Sequence, residues 1–284
     1  MRWGVEKRLE FIEFRLFWEG GINRADLIDH FGVSVPQASK DLTLYEEKAH
    51  GNLVYDKSAK RYRAAANFKP VFMEPNADTY LAQLQPANAT DAAPDVWIAT
   101  PPGFDAMPIP HRRIDVGVLR SILAAIRKNR SIEVRYQSMN EKRPKPEWRR
   151  FTPHALANDG LRWHVRAFCH EDRKFKDFIL SRCLDARDLK DPEAAPDDDK
   201  LWSKSFPVAL APNPVLSKSQ REIIAQDYGM KDGRAEIPVR MALLYYFQKR
   251  LRLDTADAPG NPHEKPVVVA NRKEFDAALA EAMR

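Results

Sequence analysis

Residues 161–168 read LRWHVRAF. As a β-strand, with side chains alternating between faces, the stretch sets Trp163, Val165 and Ala167 on one side and Arg162, His164 and Arg166 on the other. An apolar stripe backed by a cationic one leaves two readings open: an ordinary solvated sheet surface, or a surface shaped for an anion. Three similar stretches surround it: SIEVRYQ (131–137), RRFTPHAL (149–156) and KDFILSRCL (176–184). Short alternating strands this closely spaced predict a small curved sheet or barrel. A helix leads into it, IDVGVLRSILAAIRKN, with Asp115 as its cap and Leu119, Ile122, Leu123 and Ile126 on its apolar side.

Charge is concentrated in the same region. Of a formal net charge of +6 over 284 residues, residues 112–182 hold 18 Lys and Arg against 8 Asp and Glu, while residues 1–66 hold 11 against 10. So uneven a block points to an anionic partner for the middle of the chain. A hydrophobic content of 44% supports packed cores, and the length suits two or three domains. No apolar run reaches the roughly 18–20 residues of a spanning helix. The N-terminus lacks a secretory signal, and two cysteines, Cys169 and Cys183, exclude a disulfide scaffold or zinc ribbon. The expected home is the cytoplasm, with no membrane partner.

The first 66 residues read as helix, helix, turn, helix, hairpin. VEKRLEFIEFRLFWEG carries Leu9, Ile12, Leu16 and Phe17 at helical spacing. Asn23 caps a short helix with Asp26 three residues on and Leu27, Ile28 and Phe31 turned inward. A third helix opens with Ser34 and Gln37 at capping-box spacing and Pro36 in its first turn, and buries Ala38, Leu42, Tyr45 and Ala49. NLVYDKSAKRYRAA makes two short strands around the turn DKSA. Helix-turn-helix followed by a wing places the last helix in a DNA major groove. Burying that apolar stripe turns Ser34, Pro36, Gln37, Ser39, Lys40 and Thr43 outward, groups able to reach base edges or phosphate. Lys57, Lys60, Arg61 and Arg63 on the wing suit the DNA backbone.

Residues 86–111, rich in Pro, Ala and Asp, read as a connector, and DPEAAPDDDK (191–200) as a second linker whose acidic run is solvated loop. Strands and helices then alternate to the C-terminus: FPVALAP, SKSQREIIAQDYG, RAEIPVRMAL, LYYFQKRLRL and KPVVVA. They predict a compact α+β module. Its Tyr245, Tyr246 and Phe247 are expected to pack a core or a subunit contact.

Enzyme chemistry finds no support: there is no phosphate-cradling Gly-rich loop, no HExxH, no GxSxG and no paired-Cys metal spacing. His154, His164 and His170 have no Asp or Glu at a telling spacing. No catalytic set, metal site or cofactor is expected. The four middle strands do gather anion-binding types: Tyr136, Ser138, Arg150, His154, His164, Arg166 and Arg182. Arginine forks grip phosphate bidentately, and Tyr, Ser and His add directional donors.

Trp163-His164-Val165 resembles the Trp-Tyr-Leu strand of the WYL domain, and Tyr136, Arg150, Pro153-His154, Phe178 and Arg182 fit its pattern. LAPNPVLSKSQREIIAQDYGM (210–230) and IPVRMALLYYFQKRL (237–251) resemble the C-terminal extension of WYL transcriptional regulators associated with BREX and CBASS anti-phage defence loci. The resemblance spans nearly the whole chain. It implies an α+β multidomain protein: a winged helix-turn-helix (1–66), a connector (67–114), a WYL domain built as a small Sm/SH3-like β-barrel with its leading helix (115–190), and a dimerisation module (201–284). It further implies a homodimer that binds an inverted-repeat operator on double-stranded DNA, represses its own defence operon, and is relieved by a nucleotide or nucleic acid at Tyr136, Ser138, Arg150, His154, His164, Arg166 and Arg182. The departure is His-Val in place of Tyr-Leu, which exchanges a phenol for a titratable imidazole. The alternative is an RNA- or single-strand-binding protein that uses the barrel as its main site.

Overall fold

The computed structural model describes residues 3–84, 96–253 and 264–283. Two compact units divide the chain, residues 1–108 and 109–284. Part of the connector, residues 85–95, lies outside the described residues.

In the first unit, α1 (Trp3–Glu19) presents Leu9, Ile12 and Leu16 to the core, while Phe17 stays exposed. A two-residue strand, β1 (Gly21–Ile22), precedes α2 (Arg24–Phe31). Asn23 and Asp26 cap α2 reciprocally, and Gly32 ends it in the left-handed region that glycine adopts without strain. Ser34 accepts the Gln37 N–H to start α3 (Val35–Lys48), whose Ala38, Leu42 and Tyr45 are buried. The wing is β2 (Leu53–Asp56) and β3 (Arg61–Ala64), and β1 pairs with β3 to make it three-stranded. That third strand depends on Gly21, where a Cβ would meet the Arg61 Nε and the Tyr62 carbonyl oxygen at 2.7 Å.

Beyond the wing the chain returns to α1. Buried Glu13 accepts the amides of Val71, Phe72 and Met73 and the hydroxyl of Tyr45. A further helix, α4 (Ala77–Leu84), lies in what the sequence reads as connector, and its Leu84 packs with Phe14 and Ile98. Glu19 then accepts the amides of Ala99 and Thr100.

The second unit begins with α5 (Val116–Arg127), capped by Asp115. It packs on one face of an antiparallel sheet formed by β4 (Ser131–Tyr136), β5 (Glu147–Asn158), β6 (Trp163–Cys169), β7 (Lys174–Ile179) and β8 (Cys183–Lys190). The stretch 176–184 is not one strand. A 3-10 turn at Leu180–Arg182 ends β7, and β8 crosses to the far side of the sheet. In the order β7-β6-β5-β4-β8, the edge strands share no ladder. Among the described residues the sheet is open by its hydrogen bonds, in place of the closed barrel that the sequence leads one to expect. A register shift between Pro153 and Ala155 marks a bulge in β5 that holds His154.

After residues 191–199 come α6 (Lys200–Ser203), β9 (Ser205–Pro212), α7 (Lys218–Asp227), β10 (Ala235–Arg240), α8 (Leu244–Arg250), β11 (Val267–Val269) and α9 (Arg272–Met283). The sheet β10-β9-β11 is antiparallel, and its core joins Val208, Leu210 and Val269 to Leu244 and Phe275. This module mixes helix and sheet as expected, with α9 as a helix the sequence reading does not include.

Candidate functional site

The outward side of α3 faces the wing across a cleft of about 510 Å³ in the first unit. Ser39, Thr43 and Lys60 line it, together with Arg24, Tyr55 and Tyr62. Ser34, Pro36, Lys40 and Thr43 are exposed, as is Lys57 at the tip of the wing. Other members of the set are already engaged. Gln37 Nε2 donates to Asp41 at 2.9 Å, and Arg8 holds the same carboxylate at 2.6 Å. Arg61 Nη2 donates to the Gly21 carbonyl, tying β3 to β1, and Arg63 pairs with Asp56 at 2.7 Å. Thr43 Oγ1 bonds its own helix at the Ser39 carbonyl. Arg24 was missed because it precedes the helix carrying the motif. Its guanidinium comes to 3.5 Å from Ser39 Oγ only once α2 and α3 are packed.

On the central sheet, the inner face of β6 carries Val165, Ala167 and Cys169 into the core with Ile132, Val134 and Phe151. Trp163 does not join them. At the strand's start it remains 49% exposed, beyond the reach of the core. It lines a cleft of about 410 Å³ with Arg112, His111, Arg162 and Ser181.

The opposite face of β6 is neither solvated nor open: His164 and Arg166 are 1% and 4% exposed. Their cover is acidic. Arg166 Nε and Nη2 fork onto Asp199 at 2.7 and 3.1 Å, and Nη1 reaches Asp177 at 3.4 Å. His154 Nε2 lies 3.0 Å from the same Asp199 carboxylate. His164 Nε2 lies 2.9 Å from Asp159, in the turn between β5 and β6, and its ring is 4.8 Å from Tyr246 of α8. Tyr246 donates to Asp177 at 3.2 Å, and Arg250 reaches over Gly160 to the Asp159 carbonyl. Gly160 is left-handed, and a Cβ there would overlap the Arg250 guanidinium. The aromatic run of α8 therefore packs in part against the central sheet.

Two sequence expectations change here. The acidic run 191–200 is solvated except at Asp199, which is 1% exposed and inserted beneath the linker. The histidines do have carboxylates: Asp199 for His154, Asp159 for His164 and Glu193 for His170. Two of those carboxylates, Asp199 and Glu193, lie in the linker, where sequence spacing carries no signal. Burial pushes the carboxyls of Asp199 and Asp159 up. His154 and Arg166 pull the first back to about 2, and His164 with the Leu161 and Arg162 amides pulls the second to about 2. Asp177 goes the other way, raised by its deeper burial despite Arg166.

The remaining candidates lie apart. Tyr136 is in the core, edge-on to Phe178 at 5.1 Å, and its hydroxyl accepts the Ile179 amide. Burial raises its pKa, while the guanidinium of Arg182 lies beside its hydroxyl. Ser138 caps the loop after β4 by accepting the Asn140 amide. Arg150 bonds Asp188 at 2.5 Å on the β8 side, with Glu133 at 3.5 Å. The fold thus brings together His154 and Arg166, with His164 beside them across Asp177 and Tyr246. Among the described residues no three His, Cys, Asp or Glu side chains gather as a metal site, and no helix is long and apolar enough to cross a membrane.

Three family profiles match the chain in succession: the BrxR transcriptional regulator winged helix-turn-helix domain over residues 4–86, the WYL domain over 117–188, and the BrxR transcriptional regulator C-terminal dimerization domain over 205–275. The DNA-binding transcriptional repressor CapW of Escherichia coli (strain KTE188) is 39% identical over 279 residues, covering 98% of this chain and 93% of that protein. CapW of Stenotrophomonas maltophilia is 40% identical over 284 residues, covering 99% and 94%, and CapW of Pseudomonas aeruginosa 39% over 275 residues, covering 96% and 91%. Among solved structures, a proteasome accessory factor B/C (PafBC) of Arthrobacter aurescens aligns at 18% identity with a TM-score of 0.23. It covers 98% of this chain, which spans about half of that one, 48%.

Proposed function

The chain belongs to the family of the DNA-binding transcriptional repressor CapW, and from that premise we propose that it acts in the cytoplasm as a homodimeric, sequence-specific repressor bound to an inverted-repeat operator. The observation that carries this reading is the cleft between α3 and the wing, where Arg24, Ser39, Thr43 and Lys60 converge beside the exposed first turn of the helix. Ser and Thr hydroxyls suit base edges or phosphates, and the two cations suit the backbone. With residues 1–66 nearly neutral, one copy grips DNA weakly. Two copies joined through residues 205–275 and spaced for half-sites about 34 Å apart supply the missing affinity.

The central domain, in this reading, is a small Sm/SH3-like sheet that senses an anionic ligand, a nucleotide or nucleic acid, at His154, His164 and Arg166, the members of the expected set that the fold brings together. Binding relieves repression of the chain's own phage-defence operon. The ligand does so only by favouring one dimer geometry over another, because equal affinity for both shifts nothing.

A gel shift on duplex DNA from upstream of the gene, against a scrambled duplex at the same salt, tests the core of the proposal. A discrete complex on the upstream duplex alone is expected, and equal binding to both would remove it. The second reading, single-stranded nucleic acid or RNA at the central domain, is favoured by one feature: exposed Trp163 beside Arg112 and Arg162, an aromatic platform next to cations. Tighter binding of an unpaired oligonucleotide than of the upstream duplex would put that reading first.

A further inference from the structure

The most unusual group in the second unit is Asp199. Along residues 191–200 nearly every side chain is exposed, yet this one carboxylate is fully buried. It sits in a slot made by two adjacent strands of the sheet, Arg166 from β6 and His154 from the bulge in β5. Three side-chain donors, two of them the fork of one guanidinium, converge on it. A guanidinium fork accepts a carboxylate or a phosphate in the same bidentate geometry. The carboxyl is held well below the usual range, so the slot holds an anion at neutral pH.

Position gives the contact a consequence. Asp199 also caps α6, accepting the Trp202 amide at 3.1 Å, and the Trp202 ring lies 5.8 Å from His154. One residue past α6, the Lys204 carbonyl accepts the Met241 amide, joining the linker to the C-terminal module. Whatever lifts Asp199 out of its slot therefore frees the cap of α6 and loosens the first connection between the sheet and the region that matches a dimerization domain.

We infer that Asp199 is an internal occupant of a phosphate-type oxyanion site formed by Arg166 and His154, and that a ligand phosphate enters by displacing it. This rests on the reading of the central domain as an anion sensor and specifies how that site is kept shut. An internal occupant lowers the apparent affinity of any external anion by the fraction of molecules in which it is bound. It also links binding to release of the linker, a differential interaction of the kind a switch needs.

The test uses the full-length protein and three probes, inorganic phosphate, a nucleoside monophosphate and a short oligothymidylate, followed by calorimetry, with operator binding measured in parallel. Asp199→Asn keeps an oxygen for the Trp202 amide and removes the charge that competes. It is expected to tighten binding of at least one probe by about tenfold or more and to weaken the operator complex. The probe that gains most identifies the source of the phosphate. Adding Arg166→Gln to that variant is expected to abolish the gain. Equal affinity of wild type and Asp199→Asn for a probe that both bind overturns the internal occupant and leaves anion sensing standing. No binding of any probe by either protein overturns both. If Asp199→Asn does not fold, hydrogen exchange on the wild type decides: excess phosphate should speed exchange of the amides of residues 202–204, and unchanged protection there overturns the inference.

Discussion

Glu13 offers the sharpest test of how the first unit holds its recognition helix. Its carboxylate is fully buried and accepts four bonds: Tyr45 Oη at 2.9 Å and Val71 N at 2.8 Å on Oε1, Phe72 N at 2.6 Å and Met73 N at 2.8 Å on Oε2. One side chain thus joins α1, α3 and the segment after the wing. Replacing it by glutamine keeps the shape but turns one oxygen into an amide donor facing N–H groups that are donors themselves. Hydrogen bonds to a charged group contribute about 1.5–3 kcal/mol each, and a buried donor left unsatisfied costs about 1–3 kcal/mol. The segment at 71–73 can regain water, since Val71 is exposed, and the side-chain oxygen that glutamine retains can still accept the Tyr45 hydroxyl. Discounting for both, Glu13→Gln should destabilise the unit by about 3 kcal/mol. With a urea m-value of about 1.5 kcal/mol/M for a unit of this size, the midpoint of its transition falls by about 2 M. Urea unfolding followed by tryptophan fluorescence measures this. A change below about 0.5 kcal/mol, the range of neutral surface substitutions, would refute the assignment of Glu13 as the junction.

Three further outcomes follow from the structure. Lys60→Ala should weaken binding to all duplexes alike and lower the slope of log affinity against log salt by about 1, read from gel shifts at several salt concentrations. Asp159, held at about 2 in the folded chain against about 3.9 unfolded, should contribute about 2 kcal/mol that is present above pH 4 and lost as pH falls through 2. Asp159→Asn should therefore flatten the stability curve between pH 4 and 2, checked by thermal melts across that range. Burial pushes the thiols of Cys169 and Cys183 up to about 11 and 12, so native protein at pH 8 should resist iodoacetamide, with mass spectrometry showing modification only after denaturation.

The elements whose cause is local were legible in the sequence. Asn23 with Asp26, Ser34 with Gln37, and Asp115 carry their capping chemistry within three or four residues, and the structure caps helices at all three. The alternation of LRWHVRAF also placed Val165 and Ala167 opposite His164 and Arg166, because period two is intrinsic to an extended chain. Where a local signal was weak, reading failed. The break in 176–184 is a single 3-10 turn with no Gly or Pro to mark it, and β1 exists because β3 is there to pair with.

Alternation says which side chains share a face; it does not say what covers that face. Arg166 and His154 are buried against Asp199, 33 and 45 positions away, because the linker folds back across the sheet and α8 closes over β6. A buried guanidinium requires a carboxylate partner, but any of the acidic residues in the linker satisfies that rule on paper. The sequence alone determined that a cationic face would exist. Only the packing of the linker onto the sheet decided that the protein's own carboxylate fills it.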